Sequence, residues 1–239
     1  VTKSIFRIIL FLLIVSVANA DTRKRVVASE SVESDVPLAY THIAPSPAVI
    51  PGETFVIGTS VGYGFFDLFD ITSNLVLDVQ SVFNVSTKLG IFHNHDFAFA
   101  PYVSFETQSL IETDQFGNQT TVTSTAWLPG GVFSYRIAPA LTGDTAFTYV
   151  SRNPPIPKST VQDPRTALIQ GNTGNQEFTV GVARTVALSM GVSYDFTYDI
   201  FGAGASIHVS GFQLGGHYYF NVGQGNFMPI FGFGFSTSF

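Results

Sequence analysis

From Glu177 to Tyr198 large apolar side chains occupy almost every even position, from Phe178 and Val180 through Leu188, Met190 and Val192 to Tyr194, Phe196 and Tyr198; Arg184 interrupts them. The odd positions carry Thr179, Gly181, Ala183, Thr185, Ala187, Ser189, Gly191, Ser193, Asp195 and Thr197. A period of two marks an extended strand, because successive side chains point to opposite faces. The split recurs at Leu75, Leu77 and Val79 against Asn74, Val76, Asp78 and Gln80, and at Phe97 and Phe99 against Ala98 and Ala100. It returns in the closing row of Phe231, Phe233 and Phe235 against Gly232, Gly234 and Ser236. The pattern predicts ten strands, over 54–63, 69–80, 85–92, 97–112, 119–128, 131–140, 145–151, 176–198, 205–220 and 227–239. A turn at Ala183-Arg184-Thr185 would divide 176–198 and, with a further strand in 159–170, give twelve; eight is also open.

Alternation alone fits a soluble sandwich, whose outward face carries Lys, Glu, Arg and Thr. Here the non-apolar face is mostly Gly, Ala, Ser and Thr, and the other face is large and aromatic. Polar inside and apolar outside is the pattern of a transmembrane β-barrel, which must close because lipid cannot hydrogen-bond a free strand edge. Tyr63, Phe65, Phe66, Tyr194, Phe196, Tyr218 and Tyr219 fall near strand ends and suit interfacial aromatic girdles.

Composition agrees. Charged residues make up 12% of the 239, about half the share of a typical soluble domain. Formal net charge is −6, so no basic face offers itself to nucleic acid. The absence of cysteine excludes disulfides, thiolate metal sites and a lipidated N-terminal Cys. Lys3 and Arg7, the apolar run Ile8–Val17 and then Ala18-Asn19-Ala20 read as a signal peptide (1–20) with its cleavage site at Ala18 and Ala20. Residues 21–52 form a polar, proline-bearing periplasmic lead-in without sustained period. Residues 53–239 are the barrel, with 13 acids against 6 bases.

With a signal peptide, alternating strands and a final strand ending in phenylalanine, the chain resembles bacterial outer-membrane β-barrel proteins, a porin-like class, over about 53–239. The resemblance implies a closed antiparallel transmembrane barrel in the bacterial outer membrane, with both termini in the periplasm. It also implies that the last strand directs assembly by the barrel-insertion machinery, through Gly234, Phe235 and the terminal Phe239; Thr237 departs from the usual apolar pattern. Outer-membrane lipid and that machinery are the implied partners.

Site chemistry is sparse. The wall charges Asp78, Lys88, Glu106, Arg136 and Asp195 are the lumen or selectivity candidates, and Arg184 belongs at a strand end or turn because its even position otherwise faces lipid. His93, His95 and Asp96 lack an evident third ligand and read as a polar turn, so no metal or cofactor is expected. Ser206, His208, Ser210 and His217 do not by themselves make a relay, so the expectation is a non-enzyme. The favoured function is a narrow porin-like channel or transporter for a small solute or ion. The alternatives are a closed structural or surface-binding barrel displaying 151–175, and, third, a rim-located membrane enzyme.

Overall fold

The computed structural model describes residues 47–75, 82–94, 96–113, 117, 119–153, 171–183, 186–209, 212–220 and 227–238. They form one antiparallel all-β sheet. Its strands are β1 (Thr54–Gly58), β2 (Ser60–Phe65), β3 (Phe69–Asn74), β4 (Val82–Leu89), β5 (Phe92–His93), β6 (Phe97–Thr113) and β7 (Gln119–Ala138). They continue with β8 (Leu141–Thr148), β9 (Ser151–Asn153), β10 (Thr173–Ala183), β11 (Val186–Asp195), β12 (Ile200–Val209), β13 (Phe212–Phe220) and β14 (Phe227–Ser238).

Apart from β5 and β9, strands adjacent in sequence pair. Short β5 continues β4 along one edge of β6, and short β9 continues β8 along β7. The other strands are each paired along both edges: β6 lies between β4 and β7, and β14 between β13 and β1.

Several strand boundaries differ from the sequence expectation. Residues 54–63 divide at Thr59, 176–198 divides after Ala183, and 205–220 divides after Val209. The two strands expected over 119–140 are one, because Pro129-Gly130-Gly131 is strand rather than turn. The polar stretch 151–175 contributes strand at both ends, in β9 and at the start of β10, and the further strand expected in 159–170 lies outside the described residues.

Gly130 has a specific task inside β7. A Cβ there would lie 2.4 Å from Cζ of Tyr102, so the Tyr102 ring covers this glycine. The Tyr102 hydroxyl reaches Thr148 Oγ1 on the next strand at 2.5 Å, tying β6 to β8 across β7. Phe227 covers Gly216 in the same way, and Tyr135 covers Gly143. Gly130→Ala is therefore expected to displace the Tyr102 ring and destabilise the fold by about 1–3 kcal/mol, the usual cost of overpacking. Denaturant unfolding of the refolded protein checks this, and an unchanged midpoint would show that the ring is not seated there.

The two faces are opposite in chemistry. Outward lie Phe178, Val180, Leu188, Met190, Ile207 and Leu214, all well exposed. Inward lie buried Asp70, Asn84, Ser86, Glu106, Ser124, Asp144, Glu177 and Gln213. Tyr219 is a correction to the girdle expectation: it is 1% exposed and faces inward, between outward Tyr218 and Phe220. Tyr198 also leaves the apolar row, buried in the β11–β12 turn.

Candidate functional site: the inward face

The inward face carries the chain's polar chemistry, and register determines which residues meet. Asn84, Glu106, Ala126 and Arg152 are successive partners across β4, β6, β7 and β9. Alanine between the two charged residues leaves room for the Arg152 guanidinium to reach Glu106 Oε2 at 3.4 Å and to donate to Ser124 Oγ at 3.3 Å. Both charged side chains are buried. Asn84 faces the other way along this row, accepting the Asn74 N–H at 2.7 Å and donating to its carbonyl at 3.0 Å. Its amide thus imitates a backbone pair and extends the β3–β4 ladder.

Lys88 lies opposite Asp70 in register, with Nζ 4.0 Å from Oδ2. The same carboxylate accepts the Ile50 N–H at 3.0 Å. Arg136 sits beside the β7–β8 turn, where its guanidinium donates to the Pro139 carbonyl at 3.5 Å. Asp195 closes the turn after β11, with Oδ1 accepting the Thr197 and Tyr198 amides at 2.8 and 2.9 Å. Burial pushes the Tyr198 phenol above its ordinary value, the Asp195 charge adds to that, and Arg152 works against it.

Charges absent from the sequence candidates complete the wall. Asp144 and Glu177 are direct cross-strand partners on β8 and β10, both buried. Such a pair places Cβ atoms about 5 Å apart, and two like charges there repel. Along the same row lie Gly191, Gly204 and His217. The His217 ring occupies space that a side chain at Gly202 or Gly204 would fill, and Nε2 lies 3.0 Å from Ser193 Oγ. Next to it, Thr179, Ser189, His208, Ser206 and Gln213 form a hydrogen-bonded chain with links of 2.8–3.2 Å.

Of the expected site residues, Lys88, Glu106 and Arg136 lie in the wall or at its rim, and Asp195 holds a turn. Gly234 and Phe235 belong to β14, where their backbones pair with Gly58 and Ile57. Asp78, Arg184, His95, Ser210, Ala18, Ala20 and Phe239 lie outside the described residues. His208 and His217 each meet serine hydroxyls, but Ser189 and Ser193 are only 2% and 3% exposed. Those contacts tie β12 to β11 and, across β12, β13 to β11. Among the described residues no group of three His, Cys, Asp or Glu side chains is placed to hold a metal ion.

No protein-family model and no curated protein matches the sequence. Among solved structures, the chain is similar to the KdgM porin, seen alone and in complex with disordered oligogalacturonate. In both comparisons the identity is 10% and the TM-score 0.48, over 78% of this chain and 96% of the porin chain.

The outward face is consistent with a lipid contact. The strand charges Asp70, Lys88, Glu106, Asp144, Glu177 and Asp195 are all buried on the opposite face. Aromatic clusters mark its two ends: Phe97, Phe133 and Tyr135 at one, and Tyr194 with Phe196 and Phe201 with Phe220 at the other. Between them β11 presents Leu188, Met190 and Val192. A ten-residue strand such as β11, rising about 3.4 Å per residue at a tilt of about 40°, covers about 26 Å, close to the apolar band of an outer-membrane barrel. On β6 and β7 the aromatic pair Phe105–Trp127 is followed by Thr107, Ser109, Thr121, Thr123 and Thr125, so the outward face turns polar beyond that pair.

Proposed function

We propose that this chain is a twelve-stranded, closed outer-membrane β-barrel and a narrow, cation-preferring, porin-like channel. Pairing of β6 with both β4 and β7, and of β1 with β14, supports closure, with β5 and β9 counted as continuations of β4 and β8. Twelve strands give a wider lumen than the eight whose interiors side chains can fill. An even count puts both ends on one side, and Thr54 pairs with Ser238. The connections at that end are 66–68, 94–96, 139–140, 184–185 and 210–211, all short. Those at the opposite end include 75–81, 154–172 and 221–226, as the longer outer loops of such barrels do. In this reading 1–20 is the export signal, 21–52 lies on the periplasmic side, and outer-membrane lipid and the insertion machinery are the partners.

The sign of the inward wall carries the selectivity. Among the described residues the inward side carries the carboxylates of Asp70, Glu106, Asp144, Glu177 and Asp195 with the cations Lys88 and Arg152, which lie against Asp70 and Glu106, and Arg136 at the rim. Residues 53–239 carry 13 acids against 6 bases, and Asp144 and Glu177 are two of those acids on the inward β8–β10 wall, a sign that favours cations. Single-channel recording of the refolded protein under a tenfold salt gradient tests this, since ideal selectivity for a monovalent ion gives about 59 mV. A reversal potential on the cation side is expected, moving toward zero in the Asp144→Asn/Glu177→Gln double variant. An anion-side potential would remove the reading.

One observation favours a second reading, a closed structural or surface-binding barrel. Glu106 is 0% exposed, and Glu177 and Gln213 are each 1% exposed. A folded protein that never conducts would select it, leaving 154–172 as the segment to test for a surface partner.

A further inference from the structure

The stretch just before β1 does not leave the sheet. We propose that Pro47–Gly52 is an internal strap that narrows the barrel mouth at the end where Thr54 pairs with Ser238, and that Asp70 latches it. This rests on the channel reading.

The strap crosses β2, β3 and β4 from the inward side. Gly52 bridges to Gly64, and the Gly52 N–H donates to Asp67 Oδ1 at 2.6 Å. Ile50 is 1% exposed, packs with Val56, and gives its N–H to Asp70 Oδ2. Val49 reaches the position over Gly90, where a Cβ would sit 3.4 Å from both of its methyl groups. The glycines of β2 make the room. A Cβ on Gly64 would fall 2.1 Å from the Pro51 carbonyl oxygen and 2.2 Å from that of Ile50, and one on Gly62 would fall 2.8 Å from Ile50 Cδ1. Backbone approaching this closely tolerates no side chain.

The β2–β3 turn is shaped for the same contact. Phe66 and Asp67 both have positive φ, 55° and 54°, and the Leu68 N–H donates to the Phe65 carbonyl at 2.9 Å. That is a type I′ turn built without glycine, an uncommon choice. It places the Asp67 carboxylate on the Gly52 amide, three residues before Asp70 takes the Ile50 amide. Two carboxylates on backbone amides of one short segment make a latch of charge-assisted hydrogen bonds. The strap lies on the wall that also carries Lys88, so it occupies the lumen beside the Asp70–Lys88 pair.

The test uses the mature chain, which has no native cysteine, carrying Ile50→Cys or, as a reference on the exposed turn, Phe66→Cys. Folding is verified for every variant by heat-dependent gel migration. The strap thiol introduced by Ile50→Cys is expected to react with a water-soluble maleimide at least about tenfold more slowly than the turn thiol introduced by Phe66→Cys. Adding Gly64→Ala or Asp70→Ala should accelerate the strap thiol about tenfold, the scale of one hydrogen bond to a charged group. Asp70→Asn keeps an acceptor oxygen and should leave the strap thiol slow. In bilayers, Gly64→Ala should conduct in larger steps than the parent. A strap thiol that reacts as fast as the turn thiol, or that ignores both releasing substitutions, overturns the strap. A faster strap thiol with an unchanged conductance step overturns its role in narrowing the mouth. If no variant conducts, the channel reading falls, while the labelling rates still decide whether the segment is latched.

Discussion

Met190→Arg is expected to destabilise the folded protein by about 2–4 kcal/mol, although Met190 is 59% exposed. For a protein in water the opposite holds: an exposed apolar side chain exchanged for a charged one usually changes stability by no more than about 0.5 kcal/mol. The difference comes from the solvent outside. Met190 lies midway along β11, between its register partners Phe178 and Ala205 on the outward face. In a bilayer that position sits near the middle of the apolar band, where an arginine must lose its hydration or distort the membrane. Depth provides the control. Phe212 opens β13 beside the short 210–211 connection and is also exposed, at 52%. Phe212→Arg should cost only about 0–1 kcal/mol, because a cation near the interface finds headgroups and water. Denaturant unfolding in lipid vesicles compares the three proteins. Equal, small effects at both sites would remove lipid from the outward face and return the soluble sandwich to consideration.

That outward face is legible in the sequence, since a period of two with large residues on one side needs no knowledge of pairing. Turns are less visible, for reasons that differ from place to place. Between β10 and β11 the outward positions are even on both sides of 184–185, so the alternation runs through the hairpin unbroken. Between β12 and β13 it flips, with Ile207 and Val209 outward before the turn and Phe212 and Leu214 outward after it. That flip is a readable signal, and overlooking it puts Tyr219 on the wrong face. Pro129-Gly130-Gly131 misleads in the other direction. Its residues are ordinary turn punctuation, yet the glycine serves the Tyr102 ring and β7 runs on.

Site residues follow the same division. Any charge at an inward position can be found by parity once the strand is known, and Asp70, Asp144 and Glu177 all carry that signal. Their partnerships do not. Asp144 meets Glu177, and Glu106 meets Arg152, only through register between strands far apart in the chain. Arg152 is also hidden by its setting, since Ser151–Asn153 opens a polar, proline-rich stretch that reads as loop. Nothing in the polar lead-in announces that Ile50 packs inward; that contact depends on Gly62 and Gly64, whose absent side chains make room for it.

The Glu106–Arg152 pair should respond most strongly to substitution. Glu106 is 0% and Arg152 4% exposed at the side chain, and the guanidinium is also committed to Ser124. Removing one member of a buried pair leaves the other charge without its counterion, at a cost of about 3–5 kcal/mol. Glu106→Gln and Arg152→Met are each expected in that range. The double variant should cost much less than their sum, because replacing both charges with neutral groups of similar size is often nearly neutral. A double-mutant cycle on unfolding free energies measures the coupling directly. The result also bears on what fills the lumen at this level, close to the Phe105–Trp127 pair on the outer face. Strong coupling means the charges sit in a dry, packed wall, so any conducting path runs past them along the Asp144–Glu177 side. Coupling under about 1 kcal/mol is the behaviour of a solvated pair. It would put water at Glu106 and make that carboxylate part of the path ions follow.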